Sequence, residues 1–436
     1  MSLSIIILAA GQGLRMSSDV PKVFHCIGNY PMIYHVLDLS LKFKPITTTL
    51  VVSKKLDIFK DSLVKRYKNI TFQNQIKPLG TADAVTSALK NKKIFKSDTA
   101  LILYGDTPLI SFDTLNRALK EFKRKKIDLS VISMVVNNVN NSYGKLILKE
   151  DKLEKIVEKS ELGKNQSNIN LCNSGIMIIK TNYLIEQLKK IKNQNLKNEF
   201  FLTDLVEIFN KENYKVSYFN SKNGEAMGVN DKSDLAKLEK QFQNNMREKF
   251  LKAGVTLIDP STVYFSQDTK IGRDVTIHPN VIFGPKVKIS DGVEIKSFSH
   301  IENSTIKKFS IVGPFVRLRD KTVINDRAKI GNFVEIKKSD IKNDVKISHL
   351  SYIGDTLIEK NTNIGAGTIT CNYDGLKKNK TFIGENCFIG SNTSLIAPIK
   401  IKRDSIIGAG TVIDKNIQES TIVYRKSKLI KKNKKK

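Results

Sequence analysis

The sequence is poor in cysteine and histidine and contains no tryptophan. Its four cysteines, at positions 26, 172, 371 and 387, form neither a C-x-x-C pair nor the Cys/His spacing of a zinc site. This spacing excludes a zinc-binding framework. It predicts reduced thiols that mostly act as small hydrophobic residues, and with them a cytoplasmic location.

Long hydrophobic runs are also missing. No apolar stretch approaches the roughly 18–20 residues that cross a membrane, so we expect no membrane insertion. The apolar run 5–10 has no positive charge before it and is too short for a secretion signal. It is more typical of a buried strand.

Acidic residues are also few relative to basic ones. The chain has 43 Asp and Glu and 73 Lys and Arg, which gives a formal net charge of +30. Such a surplus favours anionic partners, of which nucleic acid is the first to consider. The densest basic segment, 425–436, carries no aromatic side chain on which bases could stack. We therefore expect a solvated basic tail, no nucleic-acid partner, and attraction of small phosphates.

Residues 1–230 alternate β-rich runs with amphipathic stretches, which predicts an α/β domain with a mostly parallel, Rossmann-like sheet. Strands are predicted at 5–10, 48–53, 99–105 and 129–136, and helices at 31–43, 81–91 and 111–126. A further helix is predicted over 231–252, with Asp231 as its N-cap and an apolar stripe along one side. We interpret it as a linker between two domains.

Beyond Gly254 the apolar residues recur every six positions. The two series are Ile271, Ile277, Phe283, Ile289, Ile295, Ile301 and Ile383, Ile389, Leu395, Ile401, Ile407, Ile413. Each hexad predicts a short strand and a corner, with the aliphatic residue inward and glycine permitting backbone angles that a Cβ would hinder. Residues 253–424 are therefore predicted to form a parallel β-helix. We expect loops at 317–329, 337–352 and 371–382, where binding groups tend to lie.

A glycine-rich loop follows the first predicted strand. Gly11 and Gly13 would let backbone N–H groups approach phosphates, and Arg15 and Lys22 would add countercharge. Because the spacing matches neither a Walker A loop nor a dinucleotide fingerprint, a simple tight turn stays open as an alternative.

Two more features fall at the same predicted sheet edge. Asp106 ends the strand 99–105, where a carboxylate could hold Mg²⁺, although a turn or capping Asp before Pro108 is an alternative. Gly80–Thr81 opens a predicted helix and could act as a cap or present N–H groups to a ligand.

Within the β-helix, His349 lies in an interruption of the hexads, with Tyr352 three residues later. Arg317, Arg319, Lys337 and Lys338 precede it. A base, a tyrosine and several cations suit an anionic substrate with a proton to remove. Hexads alone would equally suit an oligomerisation scaffold, so that alternative stays open.

Longer motifs carry a family resemblance. The run 8–16 with Pro21–Lys22 resembles the nucleotide-sugar pyrophosphorylases, and 331–338 and 363–375 in the hexad region resemble bifunctional enzymes that add an acetyltransferase. From about residue 3 to residue 425 the chain resembles bacterial bifunctional N-acetylglucosamine-1-phosphate uridylyltransferase/glucosamine-1-phosphate acetyltransferases. The resemblance implies a left-handed β-helix, a homotrimer with a shared acetyl site, and acetylation of glucosamine 1-phosphate followed by uridylylation to UDP-N-acetylglucosamine. A single-activity pyrophosphorylase with a regulatory solenoid is the alternative, against which His349 and 363–375 argue.

The resemblance also implies roles for single residues. For UTP and UDP-N-acetylglucosamine the implied residues are Leu8, Ala9, Ala10, Gly11, Arg15, Lys22, Gln75, Gly80, Thr81, Tyr104, Gly105 and Asp106, with Gly144, Glu158, Asn173 and Asn230 toward the sugar. Asp106 and Asn230 would hold Mg²⁺. In the β-helix, His349 is the implied general base, Arg319, Lys337, Tyr352 and Asn363 the glucosamine 1-phosphate ligands, and Ala366, Asn372, Tyr373, Ser391, Ala409 and Arg425 the acetyl-CoA contacts.

Overall fold

The computed structural model describes residues 2–137, 141–163, 166, 168–222, 224–426 and 431–432. The chain divides into two compact units, Met1–Lys240 and Gln241–Lys436. Of the predicted basic tail, positions 427–430 and 433–436 lie outside the described residues. Among the described residues no helix is long and apolar enough to cross a membrane.

The first unit is built on a nine-stranded sheet with helices on its faces, and Cys26–Ile27 and Tyr30–Pro31 form a separate two-stranded sheet. Its strands are β1 (Leu3–Ala9), β2 (Cys26–Ile27), β3 (Tyr30–Pro31), β4 (Thr47–Val52), β5 (Ile70–Asn74), β6 (Thr99–Tyr104), β7 (Leu129–Val135), β8 (Lys145–Lys149), β9 (Lys152–Val157), β10 (Leu171–Lys180) and β11 (Val216–Asn220). Its helices are α1 (Met32–Lys42), α2 (Lys60–Arg66), α3 (Thr81–Ala88), α4 (Phe112–Arg124), α5 (Thr181–Leu188) and α6 (Leu205–Lys211), and α7 (Lys232–Lys252) follows.

The strand order of this sheet is β11-β7-β10-β6-β1-β4-β5, with the β8–β9 hairpin attached to β10. Strand β1 runs parallel to β4 and β6, whereas β10 runs antiparallel to its neighbours β6 and β7. All seven residues of β1 are buried, as expected for a central strand covered on both faces. The predicted α/β fold is confirmed, and β10 makes the sheet mixed.

The sheet brings two chain segments together at one edge. Leu8 of β1 is paired with Tyr104 of β6, and the backbone N–H of Gly105 donates to the carbonyl of Leu8 at 2.9 Å. The loop after β1 and the Gly105–Asp106 turn therefore start side by side. In an open sheet this carboxyl edge is where ligands bind.

Helix α7 begins where the sequence predicted. The Asp231 carboxylate accepts from the backbone N–H of Asp234 at 2.9 Å, which satisfies one free donor of the first turn. Leu238, Phe242, Met246 and Phe250 of the predicted stripe are buried.

The second unit is a coil whose strands form three parallel sheets. The first face contains Thr256–Leu257, Thr276–Ile277, Glu294–Ile295, Ile311–Val312, Lys329–Asn332, Lys346–His349, Asn363–Ile364, Phe388–Ile389, Ile406–Ile407 and Ile422–Val423. The second contains Ile282–Phe283, His300–Ile301, Arg317–Arg319, Glu335–Lys337, Tyr352–Gly354, Ile369–Cys371, Ser394–Ile396 and Val412–Ile413. The third contains Lys270–Ile271, Lys288–Ile289, Ser304–Ile306, Thr322–Ile324, Asp340–Ile341, Thr356–Ile358, Thr381–Ile383 and Ile399–Ile401.

The hexad residues fill the interior of this coil. Ile277 is paired with Ile295, and Ile389 with Ile407, each one full coil apart, and all four are buried. Stacking puts equivalent aliphatic residues of successive coils in contact, which buries a core that no single hexad could form. The predicted parallel β-helix is confirmed.

Two of the three predicted loops are wrong. Residues 317–329 and 337–352 continue the coil as strands on successive faces. From Val312 to Ile336 the six-residue period is unbroken. The count shifts at three second-to-third face corners that are one residue shorter, Ile301–Ile306, Ile336–Ile341 and Ile353–Ile358, with Asn303, Lys338 and Asp355 at positive φ. Only the third segment leaves the coil: Asn363 and Phe388 pair as neighbours on the first face although 25 residues separate them. The excursion lies between Cys371 and Thr381.

The predicted reason for the hexad glycines is also wrong in most coils. Gly365 and Gly390 do not need a positive φ. A Cβ on Gly365 would lie 2.5 Å from the backbone nitrogen of Ser391, and one on Gly390 equally close to that of Ala409. Glycine is required there because adjacent coils approach each other closely, not because the backbone is left-handed.

Candidate active sites

The first unit has a cavity of about 410 Å³ at the carboxyl edge of β1 and β6. Ten of the predicted ligand residues line it: Leu8, Ala9, Ala10, Gly11, Lys22, Gln75, Gly80, Thr81, Tyr104 and Asp106. Gly105 packs beneath it, since a Cβ there would lie 3.1–3.2 Å from Ile33, Val23 and Ala9. The structure thus brings most of the predicted nucleotide residues together in one concave site, whereas Arg15 is not part of its lining.

Cations and metal-binding candidates are paired at this site. The Lys22 ammonium contacts the Asp106 carboxylate directly, and the Arg15 guanidinium donates to the amide oxygen of Asn230 at 2.9 Å. Gly13, at φ 64, lets the Lys22 side chain pass close to the loop, because a Cβ on Gly13 would lie 2.8 Å from the Cβ of Lys22. Asp106 and Asn230, the predicted Mg²⁺ ligands, are therefore both held by cationic side chains.

These oxygen donors fit a hard divalent cation. Asp106 already holds a cation, the Lys22 ammonium. Mg²⁺ usually binds proteins through one or two carboxylates together with substrate phosphates. Among the described residues no cluster of three His, Cys, Asp or Glu could hold a metal. The protein alone thus offers a partial coordination sphere, which a triphosphate would complete.

Gln75 is oriented by the start of helix α3. The Gln75 amide nitrogen donates to the carbonyl of Gly80 at 3.0 Å and to Asp83 at 2.8 Å. Both N–H groups are therefore used, and its carbonyl oxygen remains as an acceptor. Gly80, at φ 117, passes so close to Phe200 that a Cβ would lie 2.5 Å from the carbonyl oxygen of that residue.

The predicted sugar contacts also lie together. The backbone N–H of Asn173 donates to the carbonyl of Gly144 at 2.8 Å, and a Cβ on Gly144 would lie 3.3 Å from the Glu158 carboxylate. Burial raises the pKa of Glu158, and Thr203 donates to its carboxylate at 3.0 Å. Thr203 was missed in the sequence because its hydroxyl reaches Glu158 across 45 residues.

In the second unit His349 lies on a corner between the first and second faces. We define the corner column as the equivalent residues of successive coils, Asn332, His349, Ala366, Ser391 and Ala409. Backbone hydrogen bonds link its coils: Leu350 donates to Asn332, Gly367 to His349, Asn392 to Ala366, and Gly410 to Ser391. The predicted base and three predicted acetyl-CoA contacts therefore form one row.

Asn332, which the sequence did not single out, contacts the exposed imidazole of His349. Its amide oxygen lies 2.5 Å from Nδ1, and the two residues are paired on adjacent strands. An amide oxygen only accepts, so Nδ1 carries a proton, and in the neutral ring Nε2 keeps its lone pair. Only the fold reveals the partner, because Asn332 is 17 residues away.

A cationic cluster lies on the second face. Arg319, Lys337 and Gly354 are paired in consecutive coils, and Arg319 donates to Glu335 at 2.6 Å. Lys378, from the 371–381 excursion, lies within hydrogen-bond reach of Lys337 and lowers the pKa of that lysine. Sequence analysis missed Lys378, although it lies in the loop that the sequence predicts at 371–382.

Tyr352 and Asn372 meet above Gly354. A Cβ there would lie 2.7 Å from both the Tyr352 hydroxyl and the Asn372 amide nitrogen, so only glycine leaves room for them. Asn372 donates to the buried Asp355 carboxylate at 2.7 Å, which Lys338 contacts at 3.3 Å.

Three predicted residues stand apart from this cluster. Asn363 is paired with Lys346 on the first face, next to the corner column rather than beside Arg319 and Lys337. Tyr373 is exposed, and its hydroxyl donates to Gly375. Arg425 lines a separate cavity of about 440 Å³ with Thr411 and Tyr424. The described contacts do not join these residues to the cationic cluster.

Comparison with known families agrees with both units. The family described as nucleotidyl transferase matches residues 4–235. The bacterial transferase hexapeptide (six repeats) matches residues 268–303, and the hexapeptide repeat of succinyl-transferase matches 380–415. Fold and site thus define a nucleotidyltransferase followed by a hexapeptide-repeat transferase, whose β-helix is left-handed.

Full-length relatives narrow this class. The chain is 42% identical to the bifunctional protein GlmU of Wolbachia pipientis wMel, over 98% of both chains. It is 40% identical to that of Zymomonas mobilis, over 97% of this chain and 94% of the relative. For that of Paramagnetospirillum magneticum the identity is 42%, over 95% and 91%. The chain belongs to the family of bifunctional GlmU proteins.

Membership of this family joins the two halves in one enzyme. The chain is a bifunctional transferase of UDP-N-acetylglucosamine synthesis, with nucleotidyltransferase and acetyltransferase activities. A single-activity pyrophosphorylase and a mere scaffold, the two alternatives left open by the sequence, are thereby excluded.

Proposed function

We propose that the cavity at β1 and β6 transfers the uridylyl group of UTP to N-acetylglucosamine 1-phosphate. The observation that carries this is the convergence of Lys22, Arg15, Asp106 and Asn230 at one sheet edge. A sugar phosphate oxygen forms a bond to the α-phosphorus while the bond to the departing pyrophosphate breaks. No protein nucleophile is needed, so positioning and charge supply the rate enhancement.

The side chains in this cavity divide the work. Lys22 and Arg15 neutralise phosphate charge, and the loop at Gly11 offers backbone N–H groups. Gln75 has only its carbonyl oxygen left, which suits the N3–H donor of uracil and not the N3 acceptor of cytosine. Gly144, Glu158 and Asn173 hold the sugar. Asp106 and Asn230 would hold Mg²⁺, which would neutralise further phosphate charge.

We also propose that the second centre acetylates glucosamine 1-phosphate from acetyl-CoA. With Nδ1–H held by Asn332, His349 Nε2 takes a proton from the 2-amino group. The nitrogen forms a bond to the thioester carbonyl carbon, and the bond to sulfur breaks to release coenzyme A. Arg319, Lys337 and Lys378 supply countercharge for the sugar phosphate, and the small residues of the corner column leave room for acetyl-CoA.

We propose that three copies assemble around an apolar ridge, formed by Phe298, Phe315, Phe333 and Leu350 beside the corner column. Their φ angles are 50–59°, where bulky residues are uncommon. Nevertheless the three rings stack at 4.9 and 5.1 Å and are 45–54% exposed. A ridge kept at a conformational cost fits a surface that another copy covers. Because Asn363 stands apart from the cationic cluster, a shared site would also suit it.

One incubation tests both centres. Glucosamine 1-phosphate, acetyl-CoA, UTP and Mg²⁺ are supplied, and free thiol and pyrophosphate are followed together. We expect His349→Ala to abolish thiol release yet to keep pyrophosphate release when N-acetylglucosamine 1-phosphate is given. Asp106→Ala should do the reverse. His278→Ala, whose imidazole faces Glu294, is the matched control and should keep both. Loss of both activities in either single variant contradicts the two-centre proposal.

Light scattering tests the assembly. We expect about three times the 49.1 kDa of one chain. Phe315→Asp should give the single-chain mass and lose thiol release, whereas Ile58→Asp, at an exposed position of the first unit, should stay trimeric. A trimeric Phe315→Asp variant would show that the ridge is not the interface. We further infer a cytoplasmic location, since all four cysteines are free thiols.

A further inference from the structure

In this structure the first centre is closed on itself. Lys22 and Asp106 are in direct contact, with side chains only 15% and 17% exposed. Arg15 donates to the oxygen of Asn230 that a metal would use. Each predicted metal ligand is thus occupied by a cation from the segment between β1 and β2.

The Asn230 side chain is held from several directions. Its amide nitrogen donates to Ser142 at 3.3 Å, and its backbone N–H donates to Asp234 at 3.1 Å. The amide oxygen is therefore aimed at the site before any ligand arrives. What keeps a metal from this oxygen is Arg15.

A divalent ion alone would bind poorly here. It would have to displace an ammonium from Asp106, in a partly buried site where charge-assisted hydrogen bonds are strong. The displaced Lys22 and Arg15 would then lie beside the new cation without acidic partners. A triphosphate removes this obstacle, because its oxygens accept both cations as they leave Asp106 and Asn230.

We propose that Lys22 and Arg15 gate the metal ligands, so that a divalent cation enters only together with the nucleotide. In the free enzyme they neutralise Asp106 and cover Asn230. When UTP binds they move to its phosphates and expose both ligands. This gating rests on the proposed uridylyl transfer but concerns binding, so it can be measured without turnover.

Mn²⁺ binding, followed by electron paramagnetic resonance of the free ion, is the direct test. The full chain is titrated with Mn²⁺ alone and with Mn²⁺ plus UTP, without sugar phosphate. With UTP present, we expect Mn²⁺ to bind the wild type at least ten times more tightly than Mn²⁺ binds UTP in solution without protein. Lys22→Gln should bind Mn²⁺ without nucleotide about tenfold or more tightly than the wild type. Arg15→Gln should show a smaller gain.

Controls separate gating from general charge loss. Lys125→Gln removes an exposed lysine that is paired with Glu121 and lies far from Lys22 in the sequence. This variant should leave the Mn²⁺ affinity unchanged. Lys22→Arg keeps the cation and should stay closed. Circular dichroism checks that each variant is folded, and Arg15→Gln serves alone if Lys22→Gln does not fold.

The outcomes are distinct. Equal Mn²⁺ affinity of the wild type with and without UTP overturns the gate, as does equal affinity of Lys22→Gln and Lys125→Gln. Failure of UTP to bind the wild type in calorimetry would instead refute the proposed uridylyl transfer. Tight binding of UTP together with nucleotide-free Mn²⁺ binding would refute the gate alone.

Discussion

Replacing Asn332 tests how the second centre orients His349, its proposed general base. The amide oxygen of Asn332 fixes the proton of His349 on Nδ1, which leaves Nε2 free to accept one. Asn332→Leu removes the acceptor, and the neutral imidazole is then free to carry its proton on either nitrogen. A neutral hydrogen bond contributes about 1 kcal/mol. At about 1.4 kcal/mol per tenfold change, kcat for thiol release should fall about fivefold.

The assay is thiol release from acetyl-CoA over a range of pH, with pyrophosphate release as the internal reference. Asn332→Asp offers a second reading, because a carboxylate also accepts from Nδ1 but stabilises the imidazolium. A base must be neutral to act, so the ascending limb of the pH profile should move to higher pH. The reasoning is refuted if Asn332→Leu leaves kcat unchanged, if both activities fall equally, or if the limb for Asn332→Asp moves to lower pH.

Three further predictions concern charge and packing. Burial, with Glu161 and Glu158 nearby, raises the pKa of Asp204 to about 6. Its ionised form therefore destabilises the native state above that pH. After allowance for solvent screening, Asp204→Asn should stabilise the first unit by about 1 kcal/mol at pH 8 and should have no effect near pH 4. Thermal melting followed by circular dichroism at the two pH values measures both effects. An equal gain at both would contradict it. Gly390→Ala should cost about 1–3 kcal/mol in urea unfolding, because its Cβ meets the backbone of the next coil at 2.5 Å, whereas Gly410→Asn, at φ 66 with open space, should be nearly neutral. Lys378→Gln should raise KM for glucosamine 1-phosphate about tenfold and leave KM for acetyl-CoA unchanged; the reverse pattern would move Lys378 to the coenzyme.

Repetition made most of the second unit predictable. A six-residue period needs only local spacing, so Ile277, Ile295 and their equivalents could be assigned to the core from sequence. The one-residue shortening of a corner could not, because it breaks the count without breaking the coil. The reason for Gly365 was equally hidden, since it is set by Ser391 in the next coil and not by its own φ.

The candidate sites divide in the same way. Residues carried on continuous motifs, such as Glu158, Lys337 and His349, were named as candidates from the sequence. Their partners were not, because Asn332, Thr203 and Lys378 reach them across 17 to 45 residues or from the excursion of the coil. The pairing of Lys22 with Asp106 was likewise unexpected, since both had been assigned to ligands and not to each other.

The regular spacing of the corner column sets the distances between residues of the second centre. Each coil adds one residue to this column at the spacing of neighbouring strands, about 4.8 Å. The distance between His349 and Ala409 is therefore set by the number of coils between them. Inserting or deleting one coil of 17 or 18 residues between them would change the length available to acetyl-CoA by one strand spacing. The geometry of the flanking coils would stay the same. Selectivity for carrier length could thus be altered by editing the number of turns, with no residue of the reacting site replaced.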